Sequence, residues 1–215
     1  MNSHDFSQGS DAWHTARLGK VTASKVADVM ARTKSGYSAS RANYAAQLII
    51  ERLTGQPTEG FTNDAMRWGT EKEPEARRAY AFRTDNDVAE VGFVDHAVIS
   101  MAGASPDGLI GDDGLLEIKC PNTATHLDTL QTGAPPAKYV SQMLWQMACT
   151  GRQWCDFVSY DPRLPEDFRI FIARVERDDD AIAQMETEVV AFLAEIDARI
   201  NELNARYGAQ MKDAA

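Results

Sequence analysis

The sequence predicts an α/β or α+β domain whose central sheet is covered by helices. Three observations carry this expectation. Apolar residues recur at helical spacing near the front and over a long stretch at the end. The middle changes to short runs of strand period. A helical stretch divides those runs into two groups, and that order of elements suits a sheet with helices packed on it. The chain has 215 residues, 44% of them apolar and 25% charged, enough for a sizeable core in a single unit spanning 1–215.

Taken in order, Ser10 is positioned to cap a short helix through Arg17, and Ser24 to cap a second with Val26, Val29 and Met30 on one face. Residues 33–39 read as a loop. From Ser40 to Leu53, Tyr44, Leu48, Ile49 and Leu53 fall at helical spacing, and Gly55 stops the helix. Asn63 to Thr84 reads as another helix, with a kink or break at Pro74. Val88–Val94 and Ala97–Met101 read as a hairpin. Ala104–Ile110 and Leu115–Lys119 read as a second strand pair, joined by a turn at Gly111–Gly114. Pro135 and Pro136 precede a helix over Ala137–Cys149. Strands Trp154–Tyr160 and Phe168–Val175 follow, separated by DPRLPED. The last helix runs from about Asp178 to Arg206, with Asp178, Asp179 and Asp180 at its positive dipole end. Its seam of Ile182, Met185, Val189, Phe192, Ile196, Ile200 and Leu203 either packs on the body or meets a partner subunit.

No apolar run is long enough for a membrane span, and the N-terminal stretch lacks the pattern of a signal peptide. Cys120, Cys149 and Cys155 have no CxxC spacing, which argues against a disulfide framework or structural zinc and for a reducing, cytoplasmic setting. The histidines His4, His14, His96 and His126 form no ligand-spaced cluster, and no Gly-rich nucleotide-phosphate loop is present. The net charge of −10 weighs against nucleic acid as a partner. That charge is unevenly spread, however. Residues 1–55 hold seven Lys/Arg against four acids, whereas 176–215 hold ten acids against four bases.

The chemistry concentrates in Ser105-Pro106-Asp107-Gly108 and, nine residues on, Glu117-Ile118-Lys119. On a strand, residues i and i+2 share a face about 6.5–7 Å apart. Glu117 and Lys119 therefore point one way, while Leu116, Ile118 and Cys120 point into the core of a half-buried strand. If Asp107 lies on the neighbouring strand, two carboxylates and an ammonium meet. Such a set binds hard cations through oxygen and can serve phosphodiester hydrolysis. Lys119 then orients or deprotonates the attacking water, or stabilises charge. Acting as a base requires a lowered pKa. The same residues also fit three surface charges on an amphipathic hairpin.

Five segments in order resemble the lambda exonuclease family, the YqaJ-like viral recombinase nucleases of the PD-(D/E)XK superfamily. They are RLGKVTAS from Arg17 to Ser24; Trp68-Gly-x-x-x-Glu73; Ser105-Pro-Asp-Gly-Leu109; Leu116-Glu-Ile-Lys-Cys-Pro121; and Tyr139-x-x-Gln142 followed by Tyr160-Asp-Pro-Arg163. The resemblance implies a PD-(D/E)XK nuclease fold, a central mixed β-sheet flanked by helices. It implies metal binding, of one or two Mg²⁺ or Mn²⁺ ions, by Asp107, Glu117 and the carbonyl of Ile118, with Lys119 as catalytic lysine. Glu73 resembles the helical acid that supports the metal site, or is a solvated helix charge. Gln142 resembles the glutamine that helps place the scissile nucleotide, or is an ordinary exposed Gln. Tyr139 lines the site or packs.

By the same resemblance, Arg17, Ser24 and Ser105 form the pocket for the 5′-phosphate of the digested strand. The alternative is a cap at Ser24 and a surface ion pair at Arg17. Met66 stands where the family has a strand-separating wedge, although core packing explains it as well. Trp68 stacks or packs. Arg32, Lys34 and Arg41 track the DNA backbone or are solvated loop charges. The implied activity is Mg²⁺-dependent 5′→3′ digestion of one strand of linear double-stranded DNA to mononucleotides. It leaves a 3′ overhang for recombination with a single-strand annealing protein, and the implied assembly is a homotrimer. A structure- or site-specific endonuclease and a non-catalytic DNA-binding module are the competing expectations.

Overall fold

The computed structural model describes residues 3–4 (backbone only), 6–58 and 64–208. Strand β1 (Ser3–His4) precedes helix α1 (Asp11–Arg17), whose Ser10 cap accepts a hydrogen bond from the Trp13 amide, as the sequence predicts. Strand β2 (Val21–Thr22) runs into a 3₁₀ turn at Ala23–Lys25 and then α2 (Val26–Met30). A minimal hairpin, β3 (Arg32–Thr33) and β4 (Gly36–Tyr37), occupies the expected loop. Helix α3 (Ala39–Thr54) ends at Gly55, whose φ of 66° lets its amide reach back to the Glu51 carbonyl. Helix α4 (Asp64–Thr84) continues through Pro74 without the expected break. The expected start, Asn63, lies outside the described residues.

Next come β5 (Val88–Ala89), β6 (Phe93–Asp95), β7 (Ala102–Ala104), β8 (Gly108–Ile110) and β9 (Gly114–Lys119). Helices α5 (Thr123–Thr132) and α6 (Ala137–Thr150) lead to β10 (Trp154–Tyr160). A 3₁₀ turn at Glu166–Phe168, β11 (Ile170–Glu176), α7 (Asp179–Leu203) and a π turn at Asn204–Gly208 complete the described chain.

The main sheet is mixed, in the order β11-β10-β9-β8-β5. Its one parallel pair is β9 with β10, joined by the α5–α6 crossover; the other pairs are antiparallel. A second sheet, β1-β6-β7-β2, lies beside it. Four strand expectations are corrected here. The expected run Val88–Val94 is split, with β5 in the main sheet and β6 in the second. Residues Ala97–Met101 form the turn before β7, because the His96 ring accepts hydrogen bonds from the Val98 and Ile99 amides and folds the chain back. The expected run Ala104–Ile110 is split, with Ala104 in the second sheet and Gly108 in the first. Phe168, the expected first residue of the last strand, instead ends a 3₁₀ turn over Glu166–Phe168, and β11 begins at Ile170.

The main sheet is buried on both faces, as a sheet flanked by helices must be. On one face Leu115, Cys155 and Phe157 pack with Met143 and Met147 of α6, and this core extends to α2, α3 and α7. On the other, Leu116, Ile118, Cys120, Val158 and Tyr160 pack with Ala76 and Tyr80 of α4. The seam of α7 packs on the body through Ile182, Met185, Val189, Phe192 and Ile196, whereas Leu203 is exposed.

Beyond β10, the Asp161 carboxylate accepts hydrogen bonds from Thr123 at the start of α5 and from Arg163, whose guanidinium also donates to the Pro121 carbonyl. The YDPR motif is thus a clasp on the segment that leaves β9. Burial pushes the Asp161 carboxyl up, but Arg163 and Thr123 outweigh it and hold it below the usual carboxylate value. Its stabilising contribution is therefore present above the unfolded pKa of about 3.9 and is lost as pH falls through the lower folded value. Asp161→Asn is expected to be less stable by about 1–3 kcal/mol at neutral pH. Its urea midpoint should converge on that of the wild type under acid conditions.

Candidate active site

The end of β9 and the segment before β8 form the site. Asp107 does not lie on the neighbouring strand, as expected, but one residue before it. Its amide donates to the Leu116 carbonyl and its Oδ2 accepts from the Ile118 amide at 2.6 Å. The side chain therefore takes over the ladder bond that β8 no longer supplies. Gly108, next in the SPDG motif, packs under Val88, and a Cβ there would stand 2.3 Å from Val88 Cγ1.

Glu117 and Lys119 share the α6 face of β9, as the strand period predicts. That face is not solvent: Glu117 is 0% exposed. The half-buried strand of the sequence reading is corrected to one covered on both sides, because α6 lies over it. A buried carboxylate requires donors, and three supply them. Gln142 Nε2 donates to Oε1 at 2.7 Å and Gln146 Nε2 to Oε2 at 2.6 Å, while Lys119 Nζ pairs with Oε1. Burial alone lowers the Lys119 ammonium pKa, but Glu117 and Asp107 outweigh it and raise it above the ordinary lysine value. Lys119 is thus an ammonium at neutral pH. Burial and the neighbouring Glu117, opposed by Lys119, push the Asp107 carboxyl well above the carboxylate range. Glu73 on α4 belongs to the same electrostatic cluster. Its carboxyl is raised by burial, opposed by Arg77, which donates to it at 2.6 Å.

Among the described residues no three His, Cys, Asp or Glu side chains group at metal-binding spacing. The donor set still fits a hard cation. Mg²⁺ is commonly held by one or two carboxylates with water completing its shell. Asp107 and Glu117 provide the carboxylates, and excess negative charge around Lys119 favours a further cation. Ile118 sends its amide toward Asp107, and a strand residue directs its carbonyl to the same side.

Asp107 and Glu73 open onto a cavity of about 1140 Å³ whose wall includes Trp13, Met66 and Gln8. Beside it, the Ser105 hydroxyl accepts from Trp13 Nε1 at 2.9 Å and from Arg17 Nη1 at 3.3 Å, with the Arg17 guanidinium stacked 3.9 Å from the Trp13 ring centroid. Burial lowers the Arg17 pKa, with Tyr44 and Glu51 pulling the other way. Ser24 is not a helix cap. It sits in the 3₁₀ turn that β2 enters directly, and its hydroxyl lies 3.4 Å from that of Thr22. The parallel register Thr22↔Gly103 nevertheless makes the Ser24 and Ser105 segments leave adjacent strand ends.

Tyr139 both packs and lines the site: its ring stacks on Phe157 at 5.6 Å, and Lys119 Nζ lies 5.1 Å from its centroid. Met66 is 54% exposed on the cavity wall, so the core-packing reading is overturned. Trp68 packs partly buried, with the Arg163 guanidinium 4.5 Å from its ring centroid. Arg41 is no loop charge: it is buried in a two-pronged pair with Glu195. Arg32 pairs with Glu188. Both therefore tie the front of the chain to α7. Sequence reasoning missed Gln146 and Trp13. Their signals were a glutamine one turn after Gln142 on a helix otherwise apolar at buried positions, and a Trp one turn before Arg17.

No curated protein matches the chain. Among solved structures, the alkaline exonuclease LHK-Exo of Laribacter hongkongensis is 58% identical, with 94% of this chain and 100% of that chain covered and a TM-score of 0.87. The same values hold for its complex with dAMP. A phage related exonuclease of Haemophilus somnus 129PT shares the fold at 17% identity, with a TM-score of 0.71 over 86% of this chain and 96% of that one. Residues 12–153, which contain every candidate site residue named above from Trp13 to Gln146, match the YqaJ-like viral recombinase domain. The chain belongs to the family of YqaJ-like viral recombinase domains, the family its five motifs resemble.

Proposed function

We propose that the chain is a Mg²⁺-dependent exonuclease that digests one strand of linear double-stranded DNA from its 5′ end, releasing mononucleotides and leaving a 3′ overhang. The observation that carries this reading is the meeting of Asp107, Glu117 and Lys119, with Asp107 opening onto a cavity whose wall includes Trp13, the residue that contacts both Arg17 and Ser105. The 58% identical relative, an alkaline exonuclease also solved with dAMP, supports both the reaction and a mononucleotide product.

Asp107, Glu117 and the Ile118 carbonyl hold the ion, with Mn²⁺ as a substitute. When bound, the ion activates water and offsets phosphate charge. Lys119 presents an ammonium to the reacting phosphate and offsets its negative charge. Glu73 supports the site from α4. Gln142, at the edge of the burial, passes its amide to the scissile nucleotide, and Tyr139 keeps the Lys119 side chain against one wall. Arg17, Ser105 and Ser24 receive the terminal 5′-phosphate, for which a partly desolvated guanidinium is a strong donor. Met66, exposed on the cavity wall, parts the strand ends. Residues 1–215 act as one nuclease unit, in a homotrimer around the duplex and alongside a single-strand annealing protein. The buried thiols of Cys120, Cys149 and Cys155 suit the reducing cytoplasm.

The test is incubation with Mg²⁺ and linear duplexes that differ only in end phosphorylation, together with a closed circle. Shortening of the 5′-phosphorylated strand is expected. Nicking of the circle would mean an endonuclease, and binding without cleavage a non-catalytic module. Arg17→Ala is expected to lower the preference for 5′-phosphate over 5′-hydroxyl ends by about 10- to 150-fold, since one charge-assisted contact contributes about 1.5–3 kcal/mol. Equal digestion of both ends by the wild type removes the pocket from the mechanism.

A further inference from the structure

We propose that Gln146 is a positioning residue. From its buried place on α6 it holds Oε2 of Glu117 and so fixes the direction in which that carboxylate meets the divalent ion. This rests on the reading of Asp107, Glu117 and Lys119 as a metal-dependent nuclease centre.

The two carboxylate oxygens of Glu117 are held differently. Among the described residues, Oε1 accepts from both Gln142 and Lys119, whereas Oε2 accepts from Gln146 alone. A carboxylate offers about four lone-pair sites, two on each oxygen. Oε1 therefore carries two donors and Oε2 one, so Oε2 retains a lone pair that can serve a cation.

The two glutamines lie one helical turn apart on α6 but differ in surroundings. Gln142 is 9% exposed, near Tyr139 and Lys119, and can turn its amide toward an incoming phosphate. Gln146 is 0% exposed and has no such alternative. Its amide orientation follows from its neighbours. An ionised carboxylate only accepts, so Nε2 must face Glu117, while Oε1 faces the buried Cys155 thiol at 4.0 Å. The labour is thus divided. Gln142 exchanges between Glu117 and substrate, and Gln146 stays and keeps the carboxylate plane in place when Gln142 leaves.

The experiment uses the 215-residue chain as wild type, Gln146→Met and Gln142→Met. Mn²⁺ affinity is measured by calorimetry without DNA, and kcat and KM on 5′-phosphorylated linear duplex. Outer-shell partners of metal ligands typically contribute 10–100-fold in affinity or activity. Gln146→Met, with an unchanged thermal midpoint, is expected to bind Mn²⁺ about 10-fold more weakly and to lose kcat while its KM for DNA stays put. Gln142→Met is expected to hold Mn²⁺ within about twofold and to lose kcat. Wild-type Mn²⁺ affinity in folded Gln146→Met overturns the proposal. Should that variant not fold, Gln146→Asn, which keeps the amide but withdraws it by one methylene, carries the same test. A wild type that binds Mn²⁺ but leaves DNA intact sinks the nuclease reading alone, and the calorimetric arm still decides the role of Gln146. A wild type that binds no Mn²⁺ sinks both.

Discussion

Lys119→Ala is expected to lower strand digestion by about 10³-fold or more, while DNA-end affinity changes by no more than a few-fold. The magnitude follows from the residue's place. Preorganised charge in a water-poor site commonly contributes 10²–10³-fold to a rate, and proton-transfer groups a similar amount. Lys119 ends β9, two residues past Glu117, and its ammonium pairs with that carboxylate and lies against the Tyr139 ring. The surrounding acids raise its pKa, which suits the donor and charge role proposed for it. Its loss also strips a counter-charge from buried Glu117, so the variant should melt earlier. Thermal denaturation alongside the assay separates the two effects. A folded Lys119→Ala with wild-type rates removes the lysine from the chemistry. Lys119→Arg is expected to rescue charge but not rate, since a planar guanidinium is no substitute for a compact ammonium.

The alternation on β9 was legible because a strand's period is local: Glu117 and Lys119 on one face, Leu116, Ile118 and Cys120 on the other. The burial of Glu117 was not, since it depends on glutamines that arrive from α6, 25 and 29 residues later. Helix α5 went unseen for a related reason. Its sequence, TATHLDTLQT, is rich in residues of modest helix propensity. It is held by the Asn122 cap and by His126, whose ring bonds the Ser159 hydroxyl on one side and the Phe168 carbonyl on the other. Strand β7 is Ala-Gly-Ala, which carries little strand signal. It pairs there because Gly103 passes over the Phe93 ring, where a Cβ would stand 2.2 Å from Cζ. Arg41 looked like a loop charge because Glu195 is 154 positions away. Motif order identified the family, while the tertiary partners that decide each residue's environment come from segments no local pattern connects.

Asp107→Asn is expected to abolish Mg²⁺-dependent digestion, by about 10³-fold or more, and at the same time to make the protein more stable at neutral pH. Loss of activity follows if Asp107 is a ligand, because an amide is a far weaker partner for a hard cation than a carboxylate. The gain in stability follows from the sign of the Asp107 shift. Burial and Glu117 raise its folded pKa well above the usual value, so the folded state holds this proton more tightly than the unfolded chain does. Wild-type stability therefore falls as pH rises from the unfolded pKa, about 3.9, through the raised folded one. Asparagine removes that loss and retains an oxygen for the Ile118 amide. Each kcal/mol regained corresponds to about 2–4 °C in a chain of this size. Under acid conditions, where the wild-type carboxyl is protonated, the two melting temperatures should converge. Added Mg²⁺ should raise the wild-type melting temperature by mass action and leave that of Asp107→Asn unchanged. An asparagine variant that still digests DNA, or that Mg²⁺ stabilises as much as it does the wild type, would take Asp107 out of the metal site. A variant that is inactive yet less stable at neutral pH would mean that the carboxylate is held mainly by its bond to β9, with repulsion from Glu117 the smaller effect.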